Sequence, residues 1–449
     1  MSKQKIQLSD HFDYSRLLRF VLPCVGTMLF TSIYGIVDGL CVSNFVGKTA
    51  FAAVNLIMPV PMLVGSVGFM LGTGGSAIVG ITLGEGDREK ADRYFSLFVW
   101  TGLVAGLLLA VVGFFAVRPA ASLLGAKGEM LDYAVRYGRL LMACLPFFIL
   151  QNMFQSFFVT AENPHLGFAF TVAAGVTNMV LDVVLVGMLH GGVEGAAIAT
   201  FISQAVGGVL PVFYFLNKRS TSSIHLGRAQ WNGGVICSAC INGSSELMTN
   251  LSMSLVNILY NYQLLRFAGE NGVAAYGVIM YAAFLFVAVF VGYAVGSAPI
   301  VSYHYGARNH AELNNLYSKS LRLIGVIAVV MTALSMLVIP YVARIFVGYD
   351  AELLALTSHA FRVYALNFFL MGFNVYGSSF FTALGDGVTS ALISFLRTLA
   401  FQVIAILLLP LLLGIDGIWL AVTAAELAAL AVSAAMLLTK DKVFHYRKA

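Results

Sequence analysis

Of the 449 residues, 59% are hydrophobic and only 10% are charged, and the mean hydropathy is +0.87. A soluble domain carries about a quarter of its residues charged, so this composition excludes a soluble globular protein and places the chain in a bilayer. The net charge of +5 and the pI near 8.9 then report membrane orientation rather than affinity for nucleic acid.

The N-terminal stretch Met1 to Asp13 is polar, and no small-residue cleavage pattern follows the first apolar run, so no cleavable signal peptide is expected. Runs of the roughly 20 residues needed to cross the hydrocarbon core then recur along the chain. The pattern predicts twelve spans, at 16–40, 50–82, 94–117, 131–156, 165–188, 193–216, 236–263, 273–303, 318–342, 356–381, 388–411 and 416–439. Thr49–Gly84 and Val273–Tyr305 hold no charge at all. Spans 5 and 6, and spans 11 and 12, are joined by turns short enough to make each pair antiparallel neighbours.

Basic residues set the orientation. With both termini cytoplasmic, the inner side collects Lys3, Lys5, Arg16, Arg19, Arg88, Lys90, Arg93, Lys218, Arg219, Arg228, Arg308, Lys319, Arg322, Lys440, Lys442, Arg447 and Lys448. The outer side has roughly half as many, among them Lys48, Arg118, Arg136, Arg266 and Arg344, and the bias favours this topology.

The chain is also two copies of one design. A shift of 222 residues places Phe51–Met58 on Val273–Met280, Gly74 on Gly296, Gly84 on Gly306, Asn152 on Asn374 and Gly192 on Gly414. An even number of spans per copy gives both copies the same orientation, so the repeats are parallel, as in secondary transporters that hold substrate between two halves. The expected organisation is an N-terminal lobe over residues 1–216, a polar cytoplasmic linker over 217–234 and a C-terminal lobe over 235–449.

Ionisable residues inside the spans are few: Asp38, Asp182, Glu246, Arg397 and Glu426. Such groups are costly in hydrocarbon and usually face the protein interior or a water-filled cavity. Asn178 and Asp182 are four apart, which stacks them on one helix face. Asp38 in span 1 and Asp182 in span 5 fall at similar depth, where two carboxylates could share a proton or ligate a cation. The 222-residue shift places Asp38 on Tyr260, Asn178 on Ala400, Asp182 on Ile404 and Thr200 on Val422. Oxygen-bearing side chains in one half and mostly apolar ones in the other point to an asymmetric cation site in the N-terminal lobe.

Other polar positions are candidate cavity or substrate contacts: Tyr34, Gln204, Glu246, Asn250, Asn257, Tyr260 and Arg397. Their alternative reading is interhelical hydrogen bonding. For Arg397 the alternatives are pairing with an acid or snorkelling toward the cytoplasm. Span 2 is rich in glycine, including Gly68-x-x-x-Gly72, which permits close helix approach. Pro23, Pro59 and Pro61 are positioned to kink spans 1 and 2. Cys237-Ser-Ala-Cys240 is formally a C-x-x-C motif, but it opens a membrane span, where cysteines are expected to pack as small apolar residues. No Walker A motif, nucleophile elbow or metal-binding histidine pair is present, so ATP hydrolysis by this chain is not expected, and the two-halved design is read as a transporter rather than an enzyme.

Two six-span halves, Pro23 fifteen residues before Asp38, and the set Asn178, Asp182 and Thr200 together resemble the multidrug and toxic compound extrusion (MATE) family, nearest its DinF-related bacterial branch. The resemblance covers essentially the whole chain. It implies a V-shaped all-α fold, a sodium or proton site at Asp38, Asn178, Asp182 and Thr200, and a helix 1 that bends at Pro23. Sodium would be ligated there only if the protein is sodium-coupled. It further implies a multidrug antiporter of the cell membrane that expels cationic amphiphilic compounds and needs no cofactor beyond the coupling ion. Glu246 resembles an acidic position used in other branches, whereas the span-10 aspartate of some branches has no counterpart between Asn367 and Phe380. A flippase for lipid-linked precursors, or more distantly an intramembrane prenyl transferase, are the alternative functions. The former would want clustered cationic residues in the cavity, and the latter clustered D-x-x-x-D motifs. A monomer in the bilayer, without nucleic-acid partners, is expected.

Overall fold

The computed structural model describes residues 5–46 and 48–447. Lys3 and Lys448 of the topology reading lie outside the described residues, as does the side chain of Lys48. Among the described residues every regular element is a helix. The first half holds α1 (Tyr14–Phe45), α2 (Lys48–Ile57), α3 (Pro59–Gly84), α4 (Arg88–Leu123), α5 (Gly128–Ala143), α6 (Leu145–Thr160), α7 (Pro164–Leu181) and α8 (Gly192–Leu216). The second half holds α9 (Gly233–Asn242), α10 (Ser244–Gly306), α11 (His310–Val347), α12 (Ala351–Ala365), α13 (Phe368–Ala383), α14 (Gly387–Phe395), α15 (Phe401–Leu413), α16 (Ile415–Thr439) and the short α17 (Asp441–Phe444).

These helices resolve into twelve crossings. Nine are long and apolar enough to span singly, and α5 with α6 and α12 with α13 form two more, bent by 54° and 45°. The twelfth comes from α10, whose 63 residues would run about 95 Å as one rod, some three bilayer cores. Gly269 breaks it with φ 60° and ψ −149°, which only glycine adopts cheaply, so the chain doubles back there. The predicted kinks at Pro59 and Pro61 take the form of a fresh helix start. The α2 helix ends at Ile57, and α3 opens on Pro59, where a missing N–H costs nothing. Pro23 lies inside α1, which is continuous from Tyr14 to Phe45, and the Thr27 hydroxyl donates to its carbonyl at 2.9 Å.

The internal repeat is visible in space. The two bent pairs break at Cys144 and Leu366, 222 residues apart, and the turns at Gly192 and Gly414 share φ of 59°. Asp87 caps α4 through Lys90 N, and its counterpart Asn309 caps α11 through Glu312 N. Each half packs its own apolar core, one built around Phe95, Phe154 and Phe157, the other around Tyr260, Phe361 and Trp419.

The halves meet where α3 and the second arm of α10 end. A Cβ on Gly84 would overlap the carbonyl of Tyr303, and one on Gly306 would overlap the carbonyl of Ile81. Because Ile81 and Tyr303 are themselves repeat partners, this is one contact made twice around a pseudo-two-fold axis. The segment before α1 straps the same face. Leu8 N donates to Glu162 Oε1 of the first half at 2.9 Å, and Phe12 N to Glu312 Oε1 of the second at 2.9 Å. The stretch between the halves also packs back on the first one: His225 N donates to Asp92 Oδ1 at 2.8 Å, and Ile224 is fully buried.

Candidate functional site

The α7 helix carries Asn178 on its last turn and passes at Asp182 into a π-helical segment that runs to Met188. A π turn is wider than an α turn and is found most often at functional positions. Here it begins on the only acid of the span. Asp182 is 0% exposed and Asn178 2%, while Asp38 on α1 and Thr200 on α8 are half-buried. At 1.5 Å per residue, Asp182 stands about 27 Å along from Pro164 and Asp38 about 36 Å along from Tyr14, both toward the face opposite the termini.

The two carboxyls come within hydrogen-bonding reach of each other. Neither oxygen of Asp182 has a partner, and Asp38 Oδ1 and Asn178 Oδ1 are likewise buried and unpaired. Buried acceptors are nearly always satisfied, because leaving one bare costs about 1–3 kcal/mol and more for a charge. These four bare oxygens, two of them on adjoining carboxyls, are acceptors that a proton or cation could satisfy. The donor set of two carboxylates, an amide and a hydroxyl is hard and oxygen-only, which suits a proton or a small monovalent cation. Among the described residues no group of three His, Cys, Asp or Glu side chains gathers to hold a metal ion.

Sequence reasoning missed Tyr137. Its ring is fully buried from α5, and its hydroxyl, which has no well-formed hydrogen bond, lies close to that of Thr200 and near enough to Asp38 and Asp182 for their charges to act on it. It stands between Arg136 and Arg139 in the sequence, which makes it look like an interfacial tyrosine at a span end. Tyr34, from the cavity candidates, also borders Asp38. Thr200 directs its own hydroxyl to the Ala196 carbonyl at 3.0 Å, leaving a lone pair free.

The remaining candidates separate. Gln204 accepts from the Cys144 thiol at 2.8 Å within the first half. Asn250 and Asn261 bond back to carbonyls one turn earlier, at Glu246 and Asn257, so these amides of α10 satisfy their own helix. Tyr260 is 2% exposed and stacked on Tyr276 at 5.0 Å, inside the second core. Of the two readings of Arg397, pairing holds: its Nε donates to Glu426 Oε1 at 2.8 Å. Cys237 and Cys240 are free thiols, one exposed and one half-buried.

Two repeat partners differ in their surroundings. Asp182 is sealed in, whereas Ile404, placed opposite it by the 222-residue shift, is 53% exposed. The second half has its own π segment at Leu396–Ala400, upstream of Ile404, while that of the first half begins at Asp182. An extra residue in a turn rotates everything after it, so the two positions point to different surroundings.

The MatE family model matches residues 23–184 and again 247–408, once per half and together well over half of the chain. The chain belongs to the MatE family. Its members are membrane transporters rather than enzymes. Among MatE relatives, the protein named multidrug export protein MepA from Staphylococcus saprophyticus is 22% identical over 96% of this chain and 95% of its own length. That from Staphylococcus aureus MSSA476 has the same identity and coverage. Among solved structures, an outward-facing multidrug resistance MATE transporter of the MOP superfamily superposes with a TM-score of 0.91, at 24% identity and full coverage of both chains. A MATE transporter in its bent conformation gives 0.89 at 24% identity and 99% coverage of both chains. The MatE fold is thereby shared throughout the chain.

Proposed function

We propose that this MatE protein is a secondary active antiporter that exports cationic, amphiphilic compounds in exchange for inward-moving H+ or Na+. The observation that carries this reading is the group of four buried, unpartnered oxygens at Asp38, Asn178 and Asp182. Two adjoining carboxylates repel each other unless a cation sits between them or one is protonated. Occupancy therefore changes the stability of whatever arrangement of α1, α7 and α8 holds the oxygens together. A ligand shifts a conformational equilibrium only by its differential affinity, and a site on three helices of one lobe has that differential built in. In this reading Asp38, Asn178, Asp182 and Thr200 take the coupling ion, Tyr137 steadies it, and a bend of α1 at Pro23 transmits its arrival. The staphylococcal relatives' export of multiple drugs supports the substrate class, as do 34 Phe, 19 Tyr and 17 Met residues, from which an adaptable lining can be drawn.

The lobes are residues 1–216 and 235–449, joined by the linker at 217–234. The protein works as a monomer in the cell membrane with both termini cytoplasmic, which the distribution of basic residues supports. A flippase for lipid-linked precursors would need uncompensated cationic groups at mid-depth, and the arginine there, Arg397, is neutralised by Glu426.

The test is uptake of a fluorescent cation into everted vesicles under separately imposed proton and sodium gradients. Uphill movement under one gradient is expected. No uphill movement under either would overturn the reading.

A further inference from the structure

The second half carries a charged assembly that the ion site does not use. Arg397 sits in the π segment Leu396–Ala400, about 15 Å along from Gly387 and so near mid-depth, where transporters hold substrate. Its Nε donates to Glu426 Oε1 at 2.8 Å, and Glu426 is 0% exposed. Asn374 Nδ2 donates to Glu426 Oε2 at 2.7 Å and to the Glu426 carbonyl at 2.9 Å. Ser433 Oγ donates to Asn374 Oδ1 at 3.0 Å. Each link is satisfied as far as the guanidinium. There the chain stops: among the described residues nothing accepts from the two Nη groups, and they are not sealed from solvent. A guanidinium clamped by its Nε and open at its far edge is a rigid two-pronged donor that matches a carboxylate or a similar oxyanion.

The charge around it narrows the ligand. Glu246 on α10 is half-buried and close enough for its charge to act on Arg397, and the Tyr364 phenol lies within reach of the charges of Arg397 and Glu426. One positive and two negative groups leave a simple anion facing net repulsion. A simple cation, in turn, gains nothing from Arg397. A molecule bearing both charges satisfies both ends.

We propose that this cluster is a substrate subsite for zwitterionic amphiphiles, with Arg397 taking the carboxylate and Glu246 facing the ammonium. The proposal rests on the export reading above and names the substrate class that the C-terminal lobe selects. Glu426, Asn374 and Ser433 position the guanidinium and do not touch the ligand.

The probes are a zwitterionic fluoroquinolone and its methyl ester, which keeps the amine and loses the carboxylate. Both dissociation constants are measured on the same purified, detergent-solubilised protein, so any inactive fraction cancels in their ratio. The wild type is expected to prefer the acid at least about tenfold, the worth of one charge-assisted fork. Because Arg397→Met alone would strand a buried carboxylate, the variant is Arg397→Met with Glu426→Gln, which keeps the bond to Asn374. Its ratio is expected to fall to about one, and Arg397→Lys should restore only part of the preference. A wild-type ratio near one, or an unchanged ratio in the double variant, would overturn the proposal. Efflux of a permanent cation by the wild type is followed separately. Loss of that efflux with the ratio intact counts against the export reading and leaves the subsite standing.

Discussion

Asp182 is an expensive residue to fold around. Both oxygens are buried and bare, it has a second carboxyl for a neighbour, and the helix widens into a π turn on its own peptide. Such groups persist when a ligand repays them, and the ligand proposed above is the coupling ion. Tyr137 provides an independent check, since its hydroxyl lies near that of Thr200 and within the reach of both aspartates' charges. Tyr137→Phe keeps the ring in its packed position and removes only the hydroxyl. Its half-saturation for the driving ion is expected to rise about tenfold, the worth of one hydrogen bond to a charged site, with expression unchanged. An unaltered ion dependence would remove Tyr137 from the site. That Asp38 and Asp182 come together was legible in the sequence because acids stand out in apolar helices. Tyr137 was not, because a tyrosine between two arginines has an ordinary explanation at the membrane interface. The pairing of Arg397 was open for the same kind of reason: its partner lies 29 residues away on another helix.

At the scale of elements, hydropathy located all twelve crossings, and the structure differs mainly in how they are interrupted. The break at Gly269 is placed by one positive φ, and the register shift between the halves by two π turns at non-equivalent positions. A constant sequence offset cannot detect a π turn, because the turn takes up one more residue without changing the length of chain between repeat partners. The cap of α14 shows how a loop element is held. Asp386 accepts from Thr389 N at 3.2 Å and from Thr389 Oγ1 at 2.7 Å, and pairs with Lys440 at 2.8 Å. Partial burial works against its ionisation, but the bonds from Lys440 and Thr389 outweigh it and hold the carboxyl below its ordinary range. A depressed carboxyl contributes stability that is present above the usual carboxylate pKa near 4 and is lost as pH falls through the lower folded value. Asp386→Asn keeps the cap and loses the ion pair. It should melt below the wild type by about 1 kcal/mol or less at pH 7, and the gap should close as pH falls below about 4. A gap independent of pH would show that the charge contributes nothing.

At the scale of the molecule, two similar lobes close on each other where Gly84 meets Tyr303 and Gly306 meets Ile81. Backbones this close leave no room for any side chain, so the contact is a steric condition for the closed arrangement. Gly84→Leu with Gly306→Leu should hold that face open. Spin labels on the ends of α3 and of the second arm of α10 should then report a longer separation than in the wild type; an unchanged distance would mean the contact does not set closure. The duplication was readable from the 222-residue offset. The charged cluster on the other lobe was not, since Arg397, Glu426, Asn374 and Ser433 converge from three separate spans.

The proposed coupling of ion entry to export runs through the N-terminal lobe's buried oxygens. The direct measurement compares uphill efflux of a cationic compound by the wild type and by Asp182→Asn, reconstituted at equal density under the driving gradient. The substitution keeps the shape of the side chain and removes its charge. The wild type should concentrate the compound against its gradient, while the variant, correctly folded and still binding it, should only equilibrate it. Full uphill transport by Asp182→Asn would contradict the account.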